Sequence, residues 1–444
     1  MAPKKQPQSD LDIFRSRLEN IIDMRHPLVL LAQRIDWDAI AASFGKFFTE
    51  KGRPALPTRL LVGLHLIKHM EGLSDEAVCA AWIQNPYHQY FCGRQFFEHK
   101  LVLDRSSMTR WRGRVGSAQL ETLLAETLRI ALATNATTPE AFERVSVDTT
   151  VQTKAIAHPS DAQLLLRSIQ TLARMAKAKG IKLRQSFLFV AKAARISVTR
   201  LLHQRAHKQA MRHVRKLRTF AGRLRRDIGR KTAGHEELEP VFADILALVD
   251  RVIAQRKDSK NKLYALHAPE VECIAKGKAR TKYEFGVKAS IATTNARTAG
   301  GQFIVGMMTM PGSPYDGHTL GQQIDQVERI TGVAVERAYA DLGYRGHTYK
   351  GKAEVFLPRD KSVTSPAIKR ERKRRSAIEP VIGHLKSDGL LERNHLKGPD
   401  GDAINAILCA IGHNMRLLAA WLKLLWRALL RFMENPAQIR LAPA

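Results

Sequence analysis

Apolar residues recur at three- and four-residue steps through residues 11–135, most clearly in PTRLLVGLHLIKHMEGLSDEAVCAAWIQ. That spacing predicts a helical N-terminal region. Pro57 and Thr58 predict a helix start, Gly72 its end, and Ser74-Asp75-Glu76 the start of the next helix. LDRSSMTRWRGRVG predicts a further helix, capped by Asp104 or Ser106, that carries Arg110, Arg112 and Arg114. Several short helices with tight connections, one of them basic, fit a helix-turn-helix-like reader of DNA. An ordinary helical bundle with a solvated arginine face has the same pattern.

At 143–151 the period changes. ERVSVDTTV alternates apolar and polar positions and predicts a strand. Strand patterns return at 282–294 and 302–310, then in VERAYADLGY and KAEVFLPR, with a helix ending at Gly332 between the two groups. Residues 367–390 read as helical and 402–433 as a long, mostly apolar helix. This order predicts a mixed α/β sheet covered by helices. Residues 162–257 carry no strand signal, and 183–221 run without Gly or Pro, which predicts a long helical hairpin.

Charge sharpens this outline. The 444 residues carry a net charge of +30, which argues for a polyanionic partner, most simply nucleic acid. Residues 171–230 hold 18 bases and one acid, Asp227, whereas 1–140 are almost balanced. Like charges along a helix repel unless a polyanion is present, so Arg215, Lys216, Arg218, Arg223, Arg225 and Arg226 are candidate DNA contacts. The four cysteines are scattered and form no CxxC, which excludes a disulfide framework or a cysteine zinc cluster and fits a reducing cytoplasm. His413, Arg416, Lys423 and Arg427 interrupt the apolar C-terminal helix, so no membrane span is expected. No P-loop or GxGxxG motif is found, so no nucleotide cofactor is expected.

Three acids stand out by placement. Asp148 closes the first strand pattern, Asp341 closes another, and Glu379 lies on a helix. Carboxylates at strand ends and on a covering helix can meet although distant in sequence, and hard divalent cations favour such oxygen donors. Arg372, Arg375 and Lys386 fall at −7, −4 and +7 from Glu379, on one face of a continuous helix. That face suits DNA phosphates beside a metal site.

At these residues the chain resembles the bacterial DDE transposases of the insertion-sequence-five group. The resemblance rests on VSVDTTVQTKAIAHPSDAQLL, HAPEVECIAKGKARTKYEFGVKASIATT, MPGSPYDGHTL and AYADLGYRGH. It extends to LSDEAVCAAWIQNPYHQYFCG and LDRSSMTRWRGRVG in the N-terminal region. The family's Tyr-x2-Arg-x3-Glu-x6-Lys signature keeps Arg375, Glu379 and Lys386, with Arg372 where the tyrosine is expected.

The resemblance implies an RNase H-like catalytic domain with Asp148, Asp341 and Glu379 as metal ligands. It implies two Mg²⁺ (or Mn²⁺) ions per site, recognition of terminal inverted repeats and contacts of Arg375 and Lys386 to transposon-end DNA. With 37 residues between Asp341 and Glu379, no inserted domain fits there. The expected organisation is a helical DNA-binding domain at 1–140, an RNase H-like α/β domain at 141–161 and 258–400, a basic helical insertion at 162–257 and a C-terminal helix at 401–444. The expected activity is metal-dependent cleavage at transposon ends followed by strand transfer, by a homodimer or larger assembly on double-stranded DNA in the bacterial cytoplasm. A catalytically inactive, domesticated repressor that binds the ends is the alternative.

Overall fold

The computed structural model describes residues 15–47, 55–256, 258–275, 282–358 and 365–434. Residues 11–14 and 48–54 of the expected helical region lie outside them, as does Arg359 of KAEVFLPR. The chain divides into two compact units, one of residues 1–153 and 287–444, the other of residues 154–286.

The first unit opens with helices α1 (Leu18–Ile21), α2 (Pro27–Arg34), α3 (Trp37–Gly45), α4 (Thr58–Glu71), α5 (Asp75–Gln84), α6 (Pro86–Phe91) and α7 (Ser106–Ala133). Their ends are where the local chemistry demands. Gly72 closes α4 in the left-handed region, at φ 66°. The Ser74 side chain accepts from the Ala77 N–H to open α5. Asp104 accepts from the Ser106 N–H at the start of α7. Gly116, at φ 71°, kinks α7.

Strand β1 (Arg144–Thr153) follows. In the second unit come α8 (Asp161–Ala178), α9 (Leu188–His203), α10 (His207–Thr232), α11 (Glu239–Ala254) and β2 (Glu272–Ala275). Strand β3 (Tyr283–Thr294) begins there, pairs antiparallel with β2, and passes into the first unit. Then come β4 (Ile304–Met310), α12 (Asp316–Thr331), β5 (Arg337–Tyr339), β6 (Glu354–Phe356), α13 (Pro366–Arg374), α14 (Ile378–Ser387) and α15 (Gly398–Glu434).

Within the first unit the sheet runs β4-β3-β1-β5-β6. β3 and β4 are antiparallel, whereas β1, β5 and β6 are parallel. Val145 and Val147 of β1 point into the main core, with Phe303, Ile304, Leu320 and Ile324 among its members. Because strand side chains alternate, Ser146 and Asp148 take the opposite face. Helix α15 packs on α4, α7 and β4. It is long and apolar enough to cross a membrane, but most of its apolar stretch is buried in the protein.

The second unit corrects one expectation. Residues 162–254 form four helices around their own apolar cluster, with Leu165, Ile169, Leu217, Leu224 and Phe242 at its centre, rather than one long hairpin. The helix expected through 183–221 breaks at Gln204–Ala206 without Gly or Pro. There Arg205 takes φ 57°. The Ala206 N–H donates to Leu201 and the Arg205 N–H to Leu202. This is a Schellman end with arginine at the position glycine usually fills, so composition gives no warning of it.

Candidate active site

The parallel register builds the site. Arg144 pairs with Arg337, and Ser146 with Tyr339. Just past this ladder, Asp148 on β1 and Asp341 after β5 come close enough for the Asp341 charge to act on Asp148. Asp148 thus lies at the middle of β1 rather than at its end. Asp341 lies just beyond β5 and caps a short 3₁₀ turn at Leu342–Tyr344, its Oδ1 accepting from the Gly343 N–H at 2.9 Å. The Thr149 N–H donates to Asp148 Oδ1 at 2.7 Å, so the backbone orients both carboxylates.

Helix α13 covers this face of the sheet. Glu371 receives Arg144 Nη1 at 3.1 Å, Arg337 Nε at 3.4 Å and the Tyr339 hydroxyl, tying the helix across the starts of β1 and β5. One turn later, Arg375 reaches Asp148. Its Nη1 is 3.6 Å from Asp148 Oδ2, and its Nη2 is 3.7 Å from Glu379 Oε1. Nη1 is buried without a hydrogen-bond partner, so this cation neutralises charge and keeps a donor unspent.

The geometry differs from the expectation in two ways. A 3₁₀ turn at Arg375–Ala377 separates α13 from α14, so Arg372, Arg375, Glu379 and Lys386 do not share one continuous helical face. Asp148 and Asp341 come together, but Glu379, with its side chain 65% exposed, stands on the far side of Arg375. Among the described residues no three His, Cys, Asp or Glu side chains converge closely enough to hold a metal ion. Burial and the neighbouring Asp341 charge nevertheless push the Asp148 carboxyl up to about 6, against the opposing pull of the Thr149 N–H and Arg375. Two adjacent carboxylates short of positive charge are a donor set that fits a hard divalent cation.

The sequence reading missed a fourth carboxylate, Asp316. It opens α12, and its Oδ1 accepts from Thr149 Oγ1 at 2.9 Å and from Lys288 Nζ at 2.9 Å. The signal was present in MPGSPYDGHTL, one of the stretches carrying the resemblance. Lys288, on β3, went unnoticed because an isolated lysine in a strand has no motif around it.

Of the arginines on α7, Arg110 and Arg114 are exposed. Arg112 is 4% exposed and engages both oxygens of Asp75. The expectation that Arg112 touches DNA is therefore withdrawn: its guanidinium has no surface to offer. In the second unit Arg215, Lys216, Arg223 and Arg226 are exposed on α10. Arg225 pairs with Asp250 at 2.7 Å and Arg218 Nη2 donates to the Gln255 carbonyl. Arg372 and Lys386 are half-buried.

Residues 16–114 match the family described as Transposase domain (DUF772), and residues 246–415 match the Transposase DDE domain. The second match contains Asp341 and Glu379 but begins after Asp148. An uncharacterized protein, ORF8 in the nfe locus of Rhizobium meliloti, is 49% identical over 205 residues, which are 46% of this chain and 99% of that protein. No solved structure matches. With one carboxylate on β1 and another just beyond the parallel β5, beside an arginine-bearing helix, and with both transposase families matched, the chain belongs to the DDE transposases of the insertion-sequence-four/five type.

Proposed function

We propose that this transposase carries out cut-and-paste transposition, cleaving DNA at terminal inverted repeats and joining the freed 3′ ends to target DNA. The observation that carries the reading is the approach of Asp148 on β1 and Asp341 just beyond the parallel β5, with Arg375 linking Asp148 to Glu379. We read the sheet as RNase H-like and the organisation as an end-reading helical region at 1–140, a split catalytic domain, a basic insertion at 162–257 and a C-terminal helix.

Asp148, Asp341 and Glu379 would hold Mg²⁺ or Mn²⁺. When bound, such an ion neutralises phosphate charge and acidifies water. The protein's own part is positioning. The Thr149 and Gly343 N–H groups fix the rotamers of Asp148 and Asp341. Lys288 and Thr149 hold Asp316 beside them. The unspent Nη1 of Arg375 can donate to a phosphate oxygen, and Lys386 extends the contact along end DNA. In-line attack at phosphorus needs this orientation more than a protein nucleophile.

The test is strand cleavage at cognate ends by Asp148→Ala, Asp341→Ala and Glu379→Ala. Each is expected to lose cleavage while retaining end binding. Retained cleavage in any two would sink the assignment. Binding by the unmodified chain without divalent-dependent cleavage would identify an inactive copy.

A further inference from the structure

Helix α13 lines an open cleft of about 940 Å³, in which the Glu371 carboxylate is already engaged by Arg144 and Arg337. Arg370, Lys373 and Arg374 form one wall, at positions i, i+3 and i+4. Arg297, in the turn between β3 and β4, forms the other, and Arg144 and Asn295 form the floor. Two of these cations are spent inside the protein. Arg144 Nη1 pairs with Glu371, and Arg374 donates to the Asn295 and Ala296 carbonyls. Arg297, Arg370 and Lys373 are exposed, and no described carboxylate lies within ion-pair distance of them. On the floor, Arg144 Nε is a buried donor with no hydrogen-bond partner.

Three uncompensated cations across an open cleft repel one another, and the fold gains nothing from their convergence. A row of negative charges relieves that repulsion, and the counterions it releases drive binding. The open cleft suits a linear polyanion better than a single small anion. Ser376, Ala377 and Pro380 also line it, so it reaches the start of α14, which carries Glu379.

We propose that this cleft binds the phosphodiester backbone of duplex DNA lying outside the transposon end, as a subsite separate from the Arg375–Lys386 contacts to the end itself. The proposal rests on the transposase reading above. Two sources share this chemistry: donor DNA flanking the end before cleavage, and target DNA after it.

The test compares the full-length chain with its Arg297→Ala/Arg370→Ala/Lys373→Ala variant on three probes: a flankless end duplex, an end with donor flank, and a pre-cleaved end offered a target plasmid. The variant should bind the flankless end with unchanged affinity. On the probe that uses the cleft, the slope of log affinity against log salt should fall by about 2–3, close to 0.9 for each of three lost contacts. Loss confined to the second probe identifies donor flank, and loss confined to the third, read as the salt slope for capture of the target plasmid, identifies target. Wild-type slopes on both, or an equal loss on the flankless end, would overturn the proposal. The single Arg297→Gln variant, altering only an exposed turn, repeats the measurement should the triple variant fold poorly, with a slope change near 1. Failure of the unmodified chain to cleave would count against the transposase activity alone, because the salt slope needs no cleavage.

Discussion

At the scale of single residues, Arg112 shows how burial decides the role of a charge. Its Nη2 lies 2.6 Å from Asp75 Oδ2, and Lys68 Nζ lies 2.6 Å from Asp75 Oδ1. His65 donates from Nδ1 to the Leu61 carbonyl at 2.7 Å, which leaves Nε2 to accept from Arg112 at 3.1 Å. Burial opposes ionisation of Asp75, but the Arg112 hydrogen bonds and the Lys68 charge outweigh it and hold the carboxyl well below its usual range. Removing one partner from such a group strands the others. Asp75→Ala is expected to lower unfolding stability by about 3–5 kcal/mol in urea titrations, with part of the loss recovered when Arg112→Met is added. Arg112→Met alone should leave the salt dependence of DNA binding unchanged, whereas Arg110→Ala with Arg114→Ala should flatten it. A flattened slope for Arg112→Met would restore it as a DNA contact.

At the scale of elements, α15 crosses α4 at close range. A Cβ on Gly412 would stand 2.5 Å from the His69 carbonyl oxygen and 2.7 Å from its carbon. Both atoms are helix backbone and cannot step aside, so the helices must separate. Gly412→Ala should cost about 1–3 kcal/mol. Gly113, on α7, faces open space, and Gly113→Ala should stabilise by about 0.5–1 kcal/mol. Calorimetric midpoints moving in opposite directions would verify the pair. Strands and capped helices such as α4, α5 and α12 were legible because Gly72, Ser74 and Gly332 act locally. The break between α9 and α10 was not, because Arg205 takes the left-handed φ at a position that glycine would ordinarily mark.

At the scale of the whole molecule, acid sensitivity follows from neutral histidines sealed in the first unit. Burial lowers His65 to about 3 and His413 to about 4, with the Arg112 and Arg416 charges adding to it, and lowers His69 well below its usual value. Below pH 6.5 the unfolded chain takes up protons that these folded sites refuse. Stability therefore rises with pH through this window and is fully present above about pH 7. At pH 5.5 each histidine should have cost about 1.4 kcal/mol. Thermal midpoints from pH 7.5 to 5 should fall steadily, and His413→Gln should shallow that fall. A flat profile would mean these rings ionise in place.

Two kinds of information separate here. Periodicity, caps and charge counts are properties of neighbouring residues, so the sequence alone determined the helical N-terminal region, the strands other than β2, the basic insertion and the identity of Asp148, Asp341 and Glu379 as candidates. Resemblance placed them in a family because ordered motifs survive where surfaces drift. Only tertiary structure decided which charges are available. The parallel pairing of β1 with β5 brings Asp148 within reach of the Asp341 charge. Asp75 consumes Arg112. A 3₁₀ turn sends Arg375 inward and leaves Glu379 exposed. Arg297 meets α13 across a cleft although the helix begins 69 positions further along the chain. The strength of a charge depends on its desolvation and on partners distant in sequence, and neither quantity is written into any local stretch of the chain.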